Sequence, residues 1–274
     1  MTPLSLRIVG FLVALAFATS ARAQDAACPA AAEATLRAFL AQTSATTTAS
    51  QGELRELVCA TITTAHGEEW VAVANFVDAP PESEERGEEG YTLVLAGLDR
   101  AGRRVNRHAV VRTSEDASTL FRGNNFRLDT QFQDIAPGGG VIGVAATTSA
   151  AGPSAPDNQW GDEFALYVPE GMGFRRVLGV ARFRQESIEG CVSVQCRGAR
   201  WIETTASLSP GETDGSGWRR IALRLDATEQ AVKPARAQSK PSTTTLALVH
   251  RDGVYRTESG DPPPGSDYFG LVAW

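Results

Sequence analysis

Two stretches of the chain, residues 70–77 and 91–98, carry apolar side chains at nearly every position. A strand with one face in water alternates apolar and polar residues, whereas a strand covered on both faces does not. These two stretches therefore predict central strands of a layered β structure. Residues 126–133 and 220–225 alternate apolar with polar side chains, which predicts strands with one wet face.

These strands belong to a divergent internal sequence repeat. Each unit holds a strand, a long loop, a second strand, a tight turn and a third strand, and the two clearest units are offset by 175 − 103 = 72 residues. The first unit has its strands at 70–77, 91–98 and 103–105, and the second has them at 141–148, 163–168 and 175–177. A divergent third unit has strands at 200–205 and 219–225, a loop at 210–217 between them, and a partner strand at 245–250. Repeated antiparallel meanders of this kind predict a mostly β chain that forms a propeller-like or sandwich domain.

The N-terminal part has a different pattern. Leu36, Phe39 and Leu40 follow helical spacing within residues 29–42, and residues 52–58 predict a second short helix. We therefore divide the chain into three parts. Residues 1–23 are a signal peptide, residues 24–64 are a short helical segment packed on the main domain, and residues 65–274 are the β domain with its internal repeats.

The first residues are typical of an export signal. Arg7 precedes an apolar run at 8–18, and Ala21-Arg22-Ala23 supplies small residues before the cleavage point. The apolar run is shorter than the roughly 18 to 20 residues that cross a bilayer. We therefore predict cleavage after Ala23 and a mature chain that is periplasmic or secreted, without membrane insertion.

The four cysteines, Cys28, Cys59, Cys191 and Cys196, all follow the predicted cleavage point. An even number of cysteines in an oxidising compartment predicts two disulfides, and four cysteines allow three pairings. We favour Cys191 with Cys196, which are close in sequence, and Cys28 with Cys59, which would fasten the N-terminal segment to the start of the β region. A zinc site at Cys191 and Cys196 would lack the second close cysteine pair of a zinc ribbon.

The composition limits the classes of partner. The formal net charge of −6 gives no general attraction to nucleic acid or anionic lipid. The hydrophobic share of 42% is enough to bury a core and argues against a disordered chain. We therefore expect a folded protein that does not bind nucleic acid.

Motifs for cofactors are incomplete. Gly138, Gly140 and Gly143 match Gly-x-Gly-x-x-Gly, but a strand rather than a helix is predicted to follow them, so they indicate a turn and not a dinucleotide site. Residues 212–217 begin like a calcium loop, yet Leu223 stands where the closing glutamate belongs. The sequence therefore predicts no cofactor.

Motifs for catalysis and metal binding are also missing. The three histidines, His66, His108 and His250, have no metal-ligand spacing, which predicts structural or surface roles. The chain contains no Gly-x-Ser-x-Gly elbow. The sequence therefore predicts no metal and favours a chain that is not an enzyme.

Acidic loops are the most distinctive polar feature. Residues 80–90 carry five glutamates against Arg86 alone, and dense like charge predicts an extended, solvated loop. If the three units are equivalent, acidic loops rim one face, flanked by exposed tryptophans that can anchor an interface. The candidate binding residues are Glu84, Glu85, Glu88 and Glu89 in the first loop, Asp157, Trp160, Asp162 and Glu163 in the second, and Asp214 and Trp218 in the third.

Two functional hypotheses follow. The first is a non-catalytic periplasmic protein that uses these loops to bind a basic envelope or secreted protein; a purely structural envelope role is not separated from it by sequence. The alternative is a hydrolase of glycan or another envelope component. It would use two carboxylates roughly 5 to 10 Å apart.

Overall fold

The computed structural model describes residues 27–43, 51–78, 90–114, 125–147, 158–190, 198–231 and 241–266. The predicted signal peptide and the predicted pair Cys191–Cys196 lie outside these ranges. The elements are α1 (Ala32–Gln42), β1 (Leu54–Thr64), β2 (Gly67–Val77), β3 (Gly90–Leu98), β4 (Val105–Ser114), β5 (Phe126–Asp129), β6 (Ile142–Ala146), β7 (Asn158–Glu170), β8 (Gly173–Glu189), β9 (Arg200–Thr213), β10 (Arg219–Ala231), β11 (Ser242–Arg251) and β12 (Val254–Thr257).

The strands form two antiparallel sheets. Strands β1 to β4 make a four-stranded sheet in chain order, and β5 to β12 make an eight-stranded sheet that is also in chain order. Within each sheet, every strand therefore pairs with its neighbours in sequence, as in a meander, while β4 and β5 are edge strands of different sheets. The prediction of a mostly β chain with repeated antiparallel meanders and a short helix is confirmed, while the propeller-like and sandwich alternatives stay predictions.

Three apolar cores lie one behind another. The helix-side core joins α1 to the outer face of the four-stranded sheet, with Leu36, Leu40, Ala72 and Phe76 among its members. The intersheet core joins the inner face of that sheet to β5, β6 and β7, and contains Val71, Val73, Leu93, Leu95, Ile142, Val144 and Tyr167. The far core joins β6, β7 and β8 to β9 to β12, and contains Phe164, Leu166, Leu178, Ile221, Leu223, Leu248 and Tyr255.

This layering explains the sequence pattern. In β2, Val71 and Val73 point to the intersheet core, whereas Ala72 and Ala74 point to the helix-side core. Both faces of β2 and β3 are therefore covered, and the two strands occupy the middle of their sheet. The prediction that 70–77 and 91–98 are central strands is confirmed. A disruption of either covered face would remove apolar burial worth about 25 cal/mol per Å².

The eight-stranded sheet folds back on itself. Strand β8 pairs with β9 only from Phe183 onwards, and the amide of Ala181 instead donates to Gly265 O at 3.1 Å. Although three strands separate β8 from β12 in the sheet, Leu178 and Tyr255 lie in the same core and line the same cavity. The fold-back encloses the far core.

The predicted first helix is confirmed, and the second is wrong. Helix α1 buries Ala32, Leu36 and Leu40 at a spacing of four, and the predicted Cys28–Cys59 disulfide fastens the segment before the helix to β1. Residues 54–58 belong to β1, because β-branched residues dominate the rest of that strand and the edge of β2 offers a full antiparallel partner. At 11 residues, α1 is too short to cross a membrane, and nowhere in the described ranges does a helix qualify.

Strands β9 and β10 are both longer than the sequence predicts. Strand β9 continues to Thr213, so the predicted loop at 210–217 shrinks to 214–218. Strand β10 continues to Ala231, beyond the predicted strand at 219–225. A two-residue hairpin turn at Asp252 and Gly253 joins β11 to β12, and both residues have positive φ, as a type I′ turn requires.

Contacts between the two sheets mark two opposite ends of the molecule, which we call the loop end and, after a cleft described below, the cleft end. At the loop end, the buried carboxylate of Glu56 in β1 accepts the backbone N–H groups of Asn125 and Phe126, at 2.8 and 2.9 Å. At the cleft end, Thr64 forms an isolated bridge with Gly139. The strand ends next to 79–89, 115–124 and 148–157 all lie at the loop end.

Candidate functional site

The sequence-predicted site residues do not all lie in described loops. Glu84, Glu85, Glu88, Glu89 and Asp157 fall outside the described residues, and Trp160 is described only as part of the β7 backbone.

The remaining residues of the second predicted loop lie within β7. Asp162 is half-buried and has a φ of 50°. Glu163 is also a strand residue, opposite Ala146, and is buried. Glu163 therefore cannot form part of an exposed loop rim.

The third predicted loop lies at the opposite end from the other two. The amide of Arg219 donates to Ile135 O at 2.8 Å, and a Cβ on Gly217 would lie 3.3 Å from Pro137, so the 214–218 turn lies at the cleft end. Successive connections in a meander alternate between ends, and the β9–β10 connection follows the β6–β7 connection by three steps. The expectation that all three loops rim one face is therefore wrong for the third.

Asp214 has a local structural role. Its Oδ1 accepts the backbone N–H of Ser216 at 2.8 Å and also accepts the Ser216 hydroxyl. These hydrogen bonds hold the pKa of Asp214 below its ordinary value, because they favour the ionised carboxyl. The calcium-like segment is thus a hydrogen-bonded hairpin turn.

Trp218, at the end of this turn, belongs to an aromatic cluster. Its ring stacks on His250 with centroids 3.6 Å apart, and the Tyr255 ring meets it edge-on at 6.0 Å. The Tyr255 hydroxyl donates to Arg219 O at 2.7 Å, and burial raises the pKa of that hydroxyl. The cluster packs against the far core, so the indole is held in place from below.

A cleft of about 610 Å³ opens above this cluster. Its walls come from the β1–β2 turn, the start of β4, the 136–139 turn, the β7–β8 turn and Trp218. Its described ionisable residues are all basic side chains: His66, Arg107 and Arg175. The turn predicted from the glycine motif is present: Gly138 and Gly139 line the cleft and Gly140 follows them, all three at positive φ. Gly143, the last glycine of the motif, lies in β6 instead.

The two cleft arginines are held firmly. Arg107 donates through Nε to both carboxylate oxygens of Glu69, at 3.0 and 3.2 Å, and through Nη1 to Gly171 O. Its side chain passes Gly97, where a Cβ would lie 2.6 Å from Arg107 Cγ and 2.2 Å from the Glu69 carboxylate. Arg175 donates through Nε to Glu170 at 2.9 Å and through Nη1 to Gly253 O.

Sequence reasoning missed these cleft residues. The repeat did align the arginines at 103–104 and 175–176, each just after a tight turn. That alignment could have singled out Arg175 as a residue at a hairpin end. Arg107 gave no such signal, because its role depends on Glu69, which lies 38 residues away in sequence.

A shallower groove holds two carboxylates. Asp134 and Glu212 line it together with Arg219 and Pro210, in a volume of about 580 Å³. Over the described part of the chain, no three His, Cys, Asp or Glu residues cluster in a way that could hold a metal ion. This groove is where the hydrolase hypothesis can be examined.

No family model, curated protein or solved structure matches the chain significantly.

Proposed function

We propose that the chain is an exported, non-catalytic binding protein that holds a basic protein partner at its loop end. The observation that carries the proposal is the common position of the strand ends. Val77 and Gly90 flank the acidic segment 79–89, and Ala146 and Asn158 flank the segment that contains Asp157. The Glu56 link between the sheets brings these strand ends together. The acidic segment 79–89 and the segment that carries Asp157 are therefore both attached at one end of the molecule.

The base of the first acidic segment is fixed. The amide of Asp78 donates to Gly90 O at 2.8 Å, and the Thr92 hydroxyl donates to Asp78 Oδ1 at 2.7 Å. Segment 79–89 carries five glutamates and one arginine. A dense negative charge on a rigid base attracts a positively charged partner and increases its association rate.

The Cys28–Cys59 disulfide supports export. Disulfides persist in the periplasm and outside the cell, whereas cytosolic thiols stay reduced. The bond joins a residue beyond the proposed cleavage point to the first strand. A mature chain that begins after Ala23 would keep this link.

The test compares charge variants in capture experiments. Immobilised wild-type protein and a variant with Glu84, Glu85, Glu88 and Glu89 changed to glutamine are exposed to periplasmic extract over a range of salt concentrations. The wild type should capture a basic protein, and salt should weaken that capture. The quadruple variant should lose most of the capture and its salt dependence.

A matched control comes from segment 232–240, which is flanked by strand ends at the same end of the large sheet. Changing Lys233, Arg236 and Lys240 to glutamine alters charge there by a similar amount but with the opposite sign. This control should bind the basic partner at least as well as the wild type. Unchanged capture by the glutamate variant would refute the proposal.

The alternative function, a carboxylate-dependent hydrolase, is supported by one observation. Asp134 and Glu212 line the same groove, and glycoside hydrolysis needs two carboxylates on facing walls. If this alternative is correct, the protein should release reducing ends from envelope glycans. Asp134→Asn and Glu212→Gln should each abolish that release while preserving the fold.

A further inference from the structure

We propose that the cleft, at the end of the molecule opposite the acidic segment 79–89, binds a small carboxylate with a flat apolar body. This inference is independent of the proposed partner at the loop end. A volume of about 610 Å³ falls within the range of roughly 300 to 1,000 Å³ typical of small-molecule sites.

The polar side of the cleft suits a carboxylate. Arg107 contacts Glu69 through Nε and Gly171 through Nη1, so its Nη2 group remains available to donate to a ligand. The contacts to Glu170 and Gly253 use the same two positions of Arg175. A guanidinium that is already oriented can bind an oxyanion through its remaining N–H groups with little loss of side-chain freedom.

The charge balance also favours an anion. The negative charge of Glu69 largely neutralises the positive charge of Arg107, because both side chains are largely buried. Glu170 offsets Arg175 only weakly, because the Glu170 side chain is 61% exposed and water screens the pair. Asn106 and the exposed His66 add further polar groups to the lining of the cleft.

The apolar side of the cleft suits a flat ligand body. Trp218 lines the cleft while its ring rests on His250. Met172, on the β7–β8 turn, also lines the cleft, with 69% of its surface exposed. A rigid indole and a polarizable thioether both form favourable contacts with a ring. Apolar walls with a few fixed polar groups are the usual composition of a ligand site.

The experiment uses benzoate and benzyl alcohol as probes, since both have the same ring and only benzoate has a charge. Binding is measured by calorimetry and by ligand-observed NMR on the full mature chain. Benzoate should bind, and benzyl alcohol should bind at least about tenfold more weakly, because a charge-assisted hydrogen bond is lost.

Two variants locate the binding. Met172→Glu places a negative charge at the cleft without touching a core, and it should weaken benzoate binding about fivefold through repulsion. Ile188→Glu is the matched control. Ile188 is 46% exposed and does not line the cleft, so its replacement should leave benzoate binding unchanged.

A third variant, Arg175→Gln, should weaken benzoate binding about tenfold and leave benzyl alcohol unaffected. If Arg175→Gln fails to fold, the pair of Met172 and Ile188 variants still decides the question. The inference is overturned if benzoate does not bind, if it binds no better than benzyl alcohol, or if Met172→Glu and Ile188→Glu weaken binding equally.

Discussion

The rings of Trp218 and His250 lie face to face, with centroids 3.6 Å apart and planes 9° apart. The contact joins the β9–β10 hairpin to β11, and Tyr255 of β12 meets both rings edge-on. The floor of the cleft thus consists of a hairpin end stacked on the far core.

The first prediction concerns the pH dependence of this stack. Burial lowers the pKa of His250, since desolvation disfavours its charged form. The unfolded chain binds a proton at His250 more readily than the folded chain does. The associated stability is therefore present above the ordinary histidine pKa of about 6.5 and is lost as pH falls through the lowered folded value.

The measurement is the free energy of unfolding by urea at about pH 7.5 and about pH 5, for the wild type and for His250→Phe. Phenylalanine keeps a ring against Trp218 but does not titrate. The wild type should lose stability relative to the variant on acidification. Parallel pH profiles for the two proteins would contradict the prediction.

Local pattern predicted part of the fold. The doubly apolar segments at 70–77 and 91–98 identified the central strands, because burial on both faces leaves no position for polar residues. The Asp252-Gly253 turn was also predictable, since few residue pairs accept two positive φ angles. Residues 54–58 were not, because their strand conformation comes from pairing with β2 rather than from their own spacing.

The candidate site was harder to predict. The sequence repeat matched the β9–β10 connection of the third unit to the β2–β3 and β6–β7 connections. In the structure, the connection that follows β6–β7 by four strands, and so lies at the same end, is β10–β11. That connection contains Lys233, Arg236 and Lys240, so the segments at the loop end carry both signs of charge. The end at which each loop lies depends on strand order, which single-sequence patterns do not encode.

The second prediction concerns the link between the two sheets. Glu56→Ala removes the acceptor of two buried backbone N–H groups and should destabilise the protein by about 3 kcal/mol, as expected when such donors lose their partners. Glu53→Ala, at an exposed position just before β1, should change stability by less than about 0.5 kcal/mol. If Glu56→Ala lowers the free energy of urea unfolding as little as Glu53→Ala does, the link does not stabilise the protein.

The third prediction concerns the disulfide between Cys28 and Cys59. Closing a loop with a sequence separation of 31 restricts the unfolded chain, and replacing both cysteines by alanine should cost about 3 to 4 kcal/mol. The loss should appear as a lower urea midpoint with a nearly unchanged far-UV spectrum, because the strands do not depend on the bond. If the paired variant unfolds at the wild-type midpoint, the N-terminal segment contributes nothing through this link.

The fourth prediction compares two ion pairs on neighbouring residues of β2. Glu69 pairs with Arg107 at 3.0 Å, with side chains 7% and 15% exposed, whereas Glu68 pairs with Arg100 at 3.8 Å, with side chains 61% and 86% exposed. Glu69→Gln leaves a buried guanidinium without its anion and should cost about 3 to 5 kcal/mol. Glu68→Gln removes a screened contact and should cost less than about 0.5 kcal/mol.

Gly97→Ala gives an independent check on the same pair. Its Cβ would lie 2.2 Å from a Glu69 carboxylate oxygen, so the substitution must displace the pair without removing any charge. It should therefore destabilise the protein and also weaken benzoate binding, since Arg107 would leave its position in the cleft. The prediction is contradicted if Glu69→Gln and Glu68→Gln lower the free energy of unfolding equally while Gly97→Ala changes neither stability nor benzoate binding. The ion pair would then not position Arg107.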